Sequence, residues 1–346
     1  MPRFNQLLHR LYPWKELYLV FGITLVLLPL FGCQSFRYEH DGITLGKQHY
    51  PGVLVDVGGY DLYFNCTAPA TYTVLLEAGG GMPSLMWKPV QDLLAAEEDL
   101  QVCSYDRAGH GWSDPYPGPY SIEQEVEALH TALQKLDISE RLVLVGASYG
   151  GFHARLYAAR YPEPVIGLIY GDANSVYFFD KHPDIVEALE ASTIPRYMKV
   201  VPRGLMRRVL TKRFRDEIET LNKEDARALA HLVTSKKHIR ADLRKNQAFG
   251  TTVATMRSIE NSRTIKTVVI TRGQRYAQDP WTTQAREQDW RDGQKTFLEG
   301  VEDGLLVIAH ESGHAVNFDQ PDLIAEVVVN VVNADRNQQH PAGPSR

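Results

Sequence analysis

Cysteine is scarce in this chain: there are three in 346 residues, Cys33, Cys66 and Cys103. None lies in a C-x-x-C pair or at a spacing that a zinc site uses, which removes zinc-bound and dithiol redox readings. A strong excess of charge is missing too. The formal net charge is −5, so nothing in it asks for a nucleic-acid partner. No internal repeat and no low-complexity tract occurs. There is no comfortable membrane span either. The one long apolar run, Leu17–Leu30, reads LYLVFGITLVLLPL. It falls short of the about 20 residues that a bilayer needs, and Pro29 would kink a spanning helix. What remains is ordinary for a soluble globular enzyme: 44% hydrophobic and 23% charged residues, in a chain long enough for one large domain or two.

The apolar run still carries a message. Arg3, Arg10 and Lys15 precede it, and a basic start followed by a short apolar stretch is a secretory signal or an N-terminal anchor. Leu30-Phe31-Gly32-Cys33 follows. It looks like a bacterial lipoprotein box, in which Cys33 would be lipidated, with Phe31 where a small residue is usual. An uncleaved anchor and simple secretion are the other readings of residues 1–33. The expected location is membrane-anchored and extracytoplasmic, on the periplasmic or cell-surface side, where disulfides are permitted.

From about residue 50 strand-like and helix-like segments alternate. Val53–Val57 and Asp61–Cys66 read as a hairpin, and Tyr72–Leu76, Leu100–Tyr105, Leu142–Val145 and Val165–Tyr170 as buried strands. Leu85–Glu98 has helical periodicity. Ser121 opens a helix over Ile122–Leu136, with Gln124 completing a capping box. Thr267–Thr271 and Leu305–Ala309 are later strands, and Pro321 starts a last helix over Asp322–Val332. This order specifies an α/β fold with a mostly parallel central sheet flanked by helices. Residues 50–174 and 263–335 form its core. Residues 175–262 break the alternation as a mainly helical insertion, and residues 336–346 read as a disordered tail. Charge marks the insertion: Lys181–Lys245 holds 16 of the 37 basic residues but 9 of the 42 acidic ones.

Val143-Leu144-Val145 runs into Gly146-Ala147-Ser148-Tyr149-Gly150-Gly151, a G-x-S-x-G elbow between strand and helix. The sharp turn pushes the Ser148 hydroxyl above the sheet, and side chains at 146 and 150 would obstruct it. Asp106-Arg107-Ala108-Gly109-His110-Gly111-Trp112-Ser113 looks like the D-x-x-G-x-G-x-S loop of epoxide-hydrolase-like and haloperoxidase-like enzymes. Together these residues resemble the α/β-hydrolase superfamily over roughly residues 50–335, apart from the insertion.

That resemblance implies a set of roles. Ser148 is the nucleophile and His314, in the loop after the last strand, its general base; His310 is the rival and reads as a packing residue. The family's usual acid position, three residues after Gly273, holds Tyr276. Asp172, after the strand that follows the nucleophile helix, is therefore the expected acid, with Asp279 the alternative. The oxyanion hole is expected from the amides of Tyr149 and Gly79, with Gly80 an alternative to Gly79. Relatives carry His-Gly where this chain has Glu77-Ala78, which leaves a structural role for Glu77. Asp106 and Arg107 are expected to tie down their loop. The second and fourth strands are neighbours in the superfamily's strand order, so a Cys66–Cys103 disulfide is possible; two buried thiols are the other reading. The insertion corresponds to a helical cap. Its Arg196–Arg215 stretch holds eight basic residues and no acidic one, at spacings that allow either a membrane-facing helix or a solvated basic face.

Epoxide hydrolases and dehalogenases proper use an aspartate nucleophile, so Ser148 favours ester, thioester or amide cleavage through an acyl-enzyme. The substrate would be a small or lipid-like molecule, and no cofactor or metal is required. Acyl transfer or aminopeptidase-type cleavage on the same triad is the alternative within enzymes. A non-catalytic binding protein on a hydrolase scaffold is the alternative outside them.

Overall fold

In the computed structural model residues 52–193, 221–274 and 283–339 are described. The apolar run with Cys33, the basic stretch 196–215, Tyr276 and Asp279 lie outside them.

Strands β1 (Val53–Asp56) and β2 (Asp61–Cys66) form the expected hairpin. The others are β3 (Tyr72–Glu77), β4 (Leu100–Asp106), β5 (Leu142–Ala147), β6 (Val165–Gly171), β7 (Lys266–Arg272) and β8 (Gly304–Ala309). They form one sheet in the order β1-β2-β4-β3-β5-β6-β7-β8. β2 runs antiparallel to both of its neighbours, β1 and β4, and the other pairs are parallel.

The inner parallel strands are apolar on both faces because helices cover both, whereas the edge strand β8 leaves Leu305 and Ile308 exposed. Leu75, Leu142 and Leu144 point to a layer with α2 (Ile122–Lys135) and α3 (Gly150–Arg160). Their neighbours Val74, Leu76, Val143 and Val145 point the other way. There they meet α1 (Lys88–Leu94) and the last helix, through Ile324, Val327, Val328 and Val331. The period of two along each strand thus divides one core between two helical layers.

Between β6 and β7 lies the helical cap: α4 (Val176–Lys181), α5 (Pro183–Glu190), α6 (Lys223–Val233), α7 (Lys236–Gln247) and α8 (Phe249–Arg257). After β7 come α9 (Gln284–Lys295), the short α10 (Val316–Asp319) and α11 (Pro321–Gln339).

Three local readings change. Leu85–Glu98 is not one helix. A 3-10 turn at Ser84–Trp87 precedes α1, because Pro89 has no N–H to continue an α-helical ladder from above. Ser121 is the N-cap of α2, but its side chain caps no amide. It donates to Glu123 at 2.6 Å instead, a charge-assisted bond that prevails over the capping box with Gln124. The last helix runs on to Gln339, into the stretch read as tail, where Gln339 bonds Asp335 one turn back at 2.7 Å. Among the described residues no helix is long and apolar enough to cross a membrane.

Candidate active site

β5 delivers Ser148 to the middle of the sheet edge. Its φ of +51° is the left-handed region that a side chain tolerates poorly, a strain characteristic of functional turns. Two glycines make the turn possible. A Cβ on Gly146 would stand 2.6 Å from the Gly150 carbonyl, and one on Gly150 would collide with the Glu77 carbonyl.

Asp172 follows directly on β6, also at positive φ (+44°), with its amide bonded to the Ile270 carbonyl of β7 at 2.7 Å. The loop after β8 carries His314. Asp319 of α10 pins that loop by accepting from the Gly313 amide at 2.9 Å and the Ser312 hydroxyl at 3.1 Å.

The three side chains meet in a line. His314 Nδ1 lies 2.6 Å from Asp172 Oδ2, and His314 Nε2 lies 3.0 Å from Ser148 Oγ. With Nδ1–H donating to the carboxylate, the Nε2 lone pair faces the serine hydroxyl, the tautomer a general base requires. Asp172 is fully buried, whereas His314 and Ser148 are half-exposed.

Burial alone would raise the Asp172 carboxyl. The Arg272 cation and the hydrogen bonds from His314 and Trp290 outweigh it, and the group lies below the ordinary carboxylate value. Arg272 Nη1 donates to Oδ2 at 2.9 Å and the Arg272 amide to Oδ1 at 3.2 Å. Trp290 Nε1 donates to Oδ1 at 2.9 Å. Glu287, also on α9, takes the rest of the Arg272 fork at 2.9 and 3.2 Å. Arg272 Nη1 also sits 3.4 Å from His314 Nδ1. Both atoms are donors when Nδ1 is committed to Asp172, so this is a close approach rather than a bond. Arg272, Glu287 and Trp290 were not singled out by any motif.

The structure thus brings Ser148, His314 and Asp172 together. His310 is exposed rather than packed, because its side chain leaves β8 on the solvent side. Gly79 lies against Ser148: a Cβ there would stand 3.5 Å from Ser148 Cβ. The Tyr149 amide begins the helix behind it. Asp106 holds its loop by accepting from the Ser84 amide at 2.6 Å and the Trp112 amide at 2.7 Å. Cys66 and Cys103 face each other across β2 and β4 and are joined as a disulfide. Among the described residues no cluster of three or more His, Cys, Asp or Glu side chains could hold a metal ion.

A family model described as the alpha/beta hydrolase family matches residues 74–327. The chain belongs to this family. Solved structures agree in fold. Cfl2 from Burkholderia cenocepacia superposes with a TM-score of 0.66 at 20% identity, over 81% of this chain and 94% of that one. The enol-lactonase from Burkholderia xenovorans LB400 gives 0.59 at 16% identity, over 81% and 100%. Sequence matches among curated proteins are shorter. Uncharacterized protein YqjL of Bacillus subtilis is 30% identical over 100 residues, 29% of this chain and 39% of that protein. An uncharacterized protein of Schizosaccharomyces pombe is 40% identical over 78 residues, 22% of this chain and 15% of its own. The chain therefore covers well under half the length of these two relatives.

Proposed function

We propose that this alpha/beta hydrolase is a serine hydrolase that cleaves an ester, thioester or amide through an acyl-enzyme on Ser148. The observation that carries the reading is the relay from Ser148 Oγ through His314 to buried Asp172, at 3.0 and 2.6 Å. In the first half-reaction Ser148 Oγ attacks the carbonyl carbon and its proton passes to His314 Nε2. The carbonyl oxygen becomes an oxyanion facing the Tyr149 and Gly79 amides. Collapse breaks the bond to the leaving group, which takes the proton from His314. Water then repeats the sequence, with His314 as base, and frees the acid and Ser148.

Asp172 is the acid of this reading, since its carboxylate already bonds the base. An enol-lactonase and a thioesterase domain from the curacin biosynthetic pathway are among the structural neighbours, which favours small ester or thioester substrates. We place the enzyme outside the cytoplasm, tethered by residues 1–33. The basic and apolar pattern of that segment supports this, as does a disulfide in the core.

A fluorophosphonate probe tests the chemistry. Wild type is expected to label and Ser148→Ala to lose the label with its fold intact. A folded wild type that does not label favours instead a binding protein on a hydrolase scaffold.

A further inference from the structure

Glu77 and Arg107 are buried charges outside the triad, next to the loop that supplies one oxyanion donor. Arg107 is 4% exposed and Glu77 wholly buried. The guanidinium does more than pair with Glu77 Oε2, 3.2 Å from Nη1. Nη1 also donates to the Ala78 carbonyl at 2.6 Å, and Nη2 to the Gly79 carbonyl at 2.5 Å. One rigid fork thus grips two successive peptide groups in a fixed relative geometry, which the rotatable ammonium of a lysine does not impose.

The consequence follows from peptide geometry. The described peptide bonds are all trans, and in a trans peptide the C=O and the N–H that share a plane point in opposite directions. The Ala78 carbonyl shares its plane with the Gly79 N–H, and the Gly79 carbonyl with the Gly80 N–H. A donor that draws both carbonyls to one side therefore aims both amides to the other. Gly79 itself packs against Ser148, where a Cβ would stand 3.5 Å from Ser148 Cβ.

We infer that Arg107 is the positioning residue of the oxyanion hole: it orients the Gly79 and Gly80 amides toward the carbonyl oxygen of a substrate on Ser148. This rests on the serine-hydrolase reading above. It also gives Glu77 a reason to stand where relatives carry His. A guanidinium in the interior needs a counter-charge. Glu77 supplies it with one oxygen and accepts the Tyr105 hydroxyl with the other. The far end of the loop is held from the cap, where His238 Nε2 donates to the Gly81 carbonyl at 2.8 Å. The loop is therefore fixed at three carbonyls, those of Ala78 and Gly79 from the core and that of Gly81 from the cap.

The test uses the full chain, p-nitrophenyl esters of two to six carbons as substrates, and an arylboronic acid that forms a tetrahedral adduct with a nucleophilic serine. Arg107→Lys keeps the charge and loses the fork. Its kcat is expected to fall about 100-fold, the scale of losing one oxyanion donor. KM should stay within about threefold and boronate affinity should fall in parallel with kcat, the signature of an interaction made only in the transition state. Arg107→Met paired with Glu77→Gln removes both charges together, so that neither is left buried alone. This double variant is expected to keep the wild-type circular dichroism and lose boronate binding. A folded Arg107→Lys with wild-type kcat and boronate affinity overturns the inference alone. A wild type that neither turns over these esters nor labels with fluorophosphonate overturns the serine-hydrolase reading and this one with it.

Discussion

Asp172 is buried among donors that no short motif encodes. Its partners Arg272 and Trp290 lie 100 and 118 residues away in sequence, so only the folded sheet and α9 bring them together. Ser148 was legible because its elbow is contiguous, and His314 because it follows a recognisable last strand. The acid stayed open between Asp172 and Asp279, since either of two strand ends can reach the base. Asp172→Asn is expected to lower kcat by about 10⁴-fold, as an amide there would hold the wrong imidazole tautomer. Asp279→Asn should leave kcat near wild type, and steady-state kinetics on one ester decide between them. Arg272 offers a pH test. Its cation is the largest of the influences that hold the Asp172 carboxyl below the ordinary value of about 3.9, ahead of His314 and Trp290. A depressed carboxyl contributes stability above that value and loses it as pH falls through the depressed one. Arg272→Gln should therefore move the onset of acid unfolding to higher pH, read from circular dichroism across an acid titration.

Strands were easier to read than helices. Runs such as Leu142–Val145 are short, apolar and bounded by turns, and β5 follows them to within two residues. Helix ends depended on single side chains: Pro89 split one helix, and Glu123 drew Ser121 away from its cap. The β2–β4 pairing makes its own prediction. Cys66 and Cys103 are 37 residues apart in sequence, and closing a loop of that length stabilises by about 4 kcal/mol in the chain-entropy picture. Urea unfolding with and without reductant should show the midpoint falling on reduction. A midpoint that does not move means the bridge does not form in the purified protein.

On the scale of the whole molecule, cap and core meet over two buried histidines. His110 of the core and His238 of α7 stack edge to face with ring centres 4.7 Å apart. Each keeps one ring nitrogen buried without a partner. Lys237, Lys245, Arg107 and Asp242 surround them. Burial pushes His238 down to about 4 and His110 well below its ordinary value. Both are then neutral when folded and take up protons on unfolding, so stability falls as pH drops from about 6.5 toward 4. The melting temperature should decline by several degrees over that range, and His238→Gln should flatten the decline.

Ser148 and His314 stand 166 residues apart, with Asp172 and the cap between them. Synthesis proceeds in the same order. A ribosome-bound chain completes the elbow at Ser148 and the acid at Asp172 early, then makes the whole cap, and adds His314 only after β8. Every growing chain shorter than that holds a serine with no base to activate it. On the proposed serine mechanism, hydrolysis would therefore wait until His314 has been added and its loop has closed on Ser148.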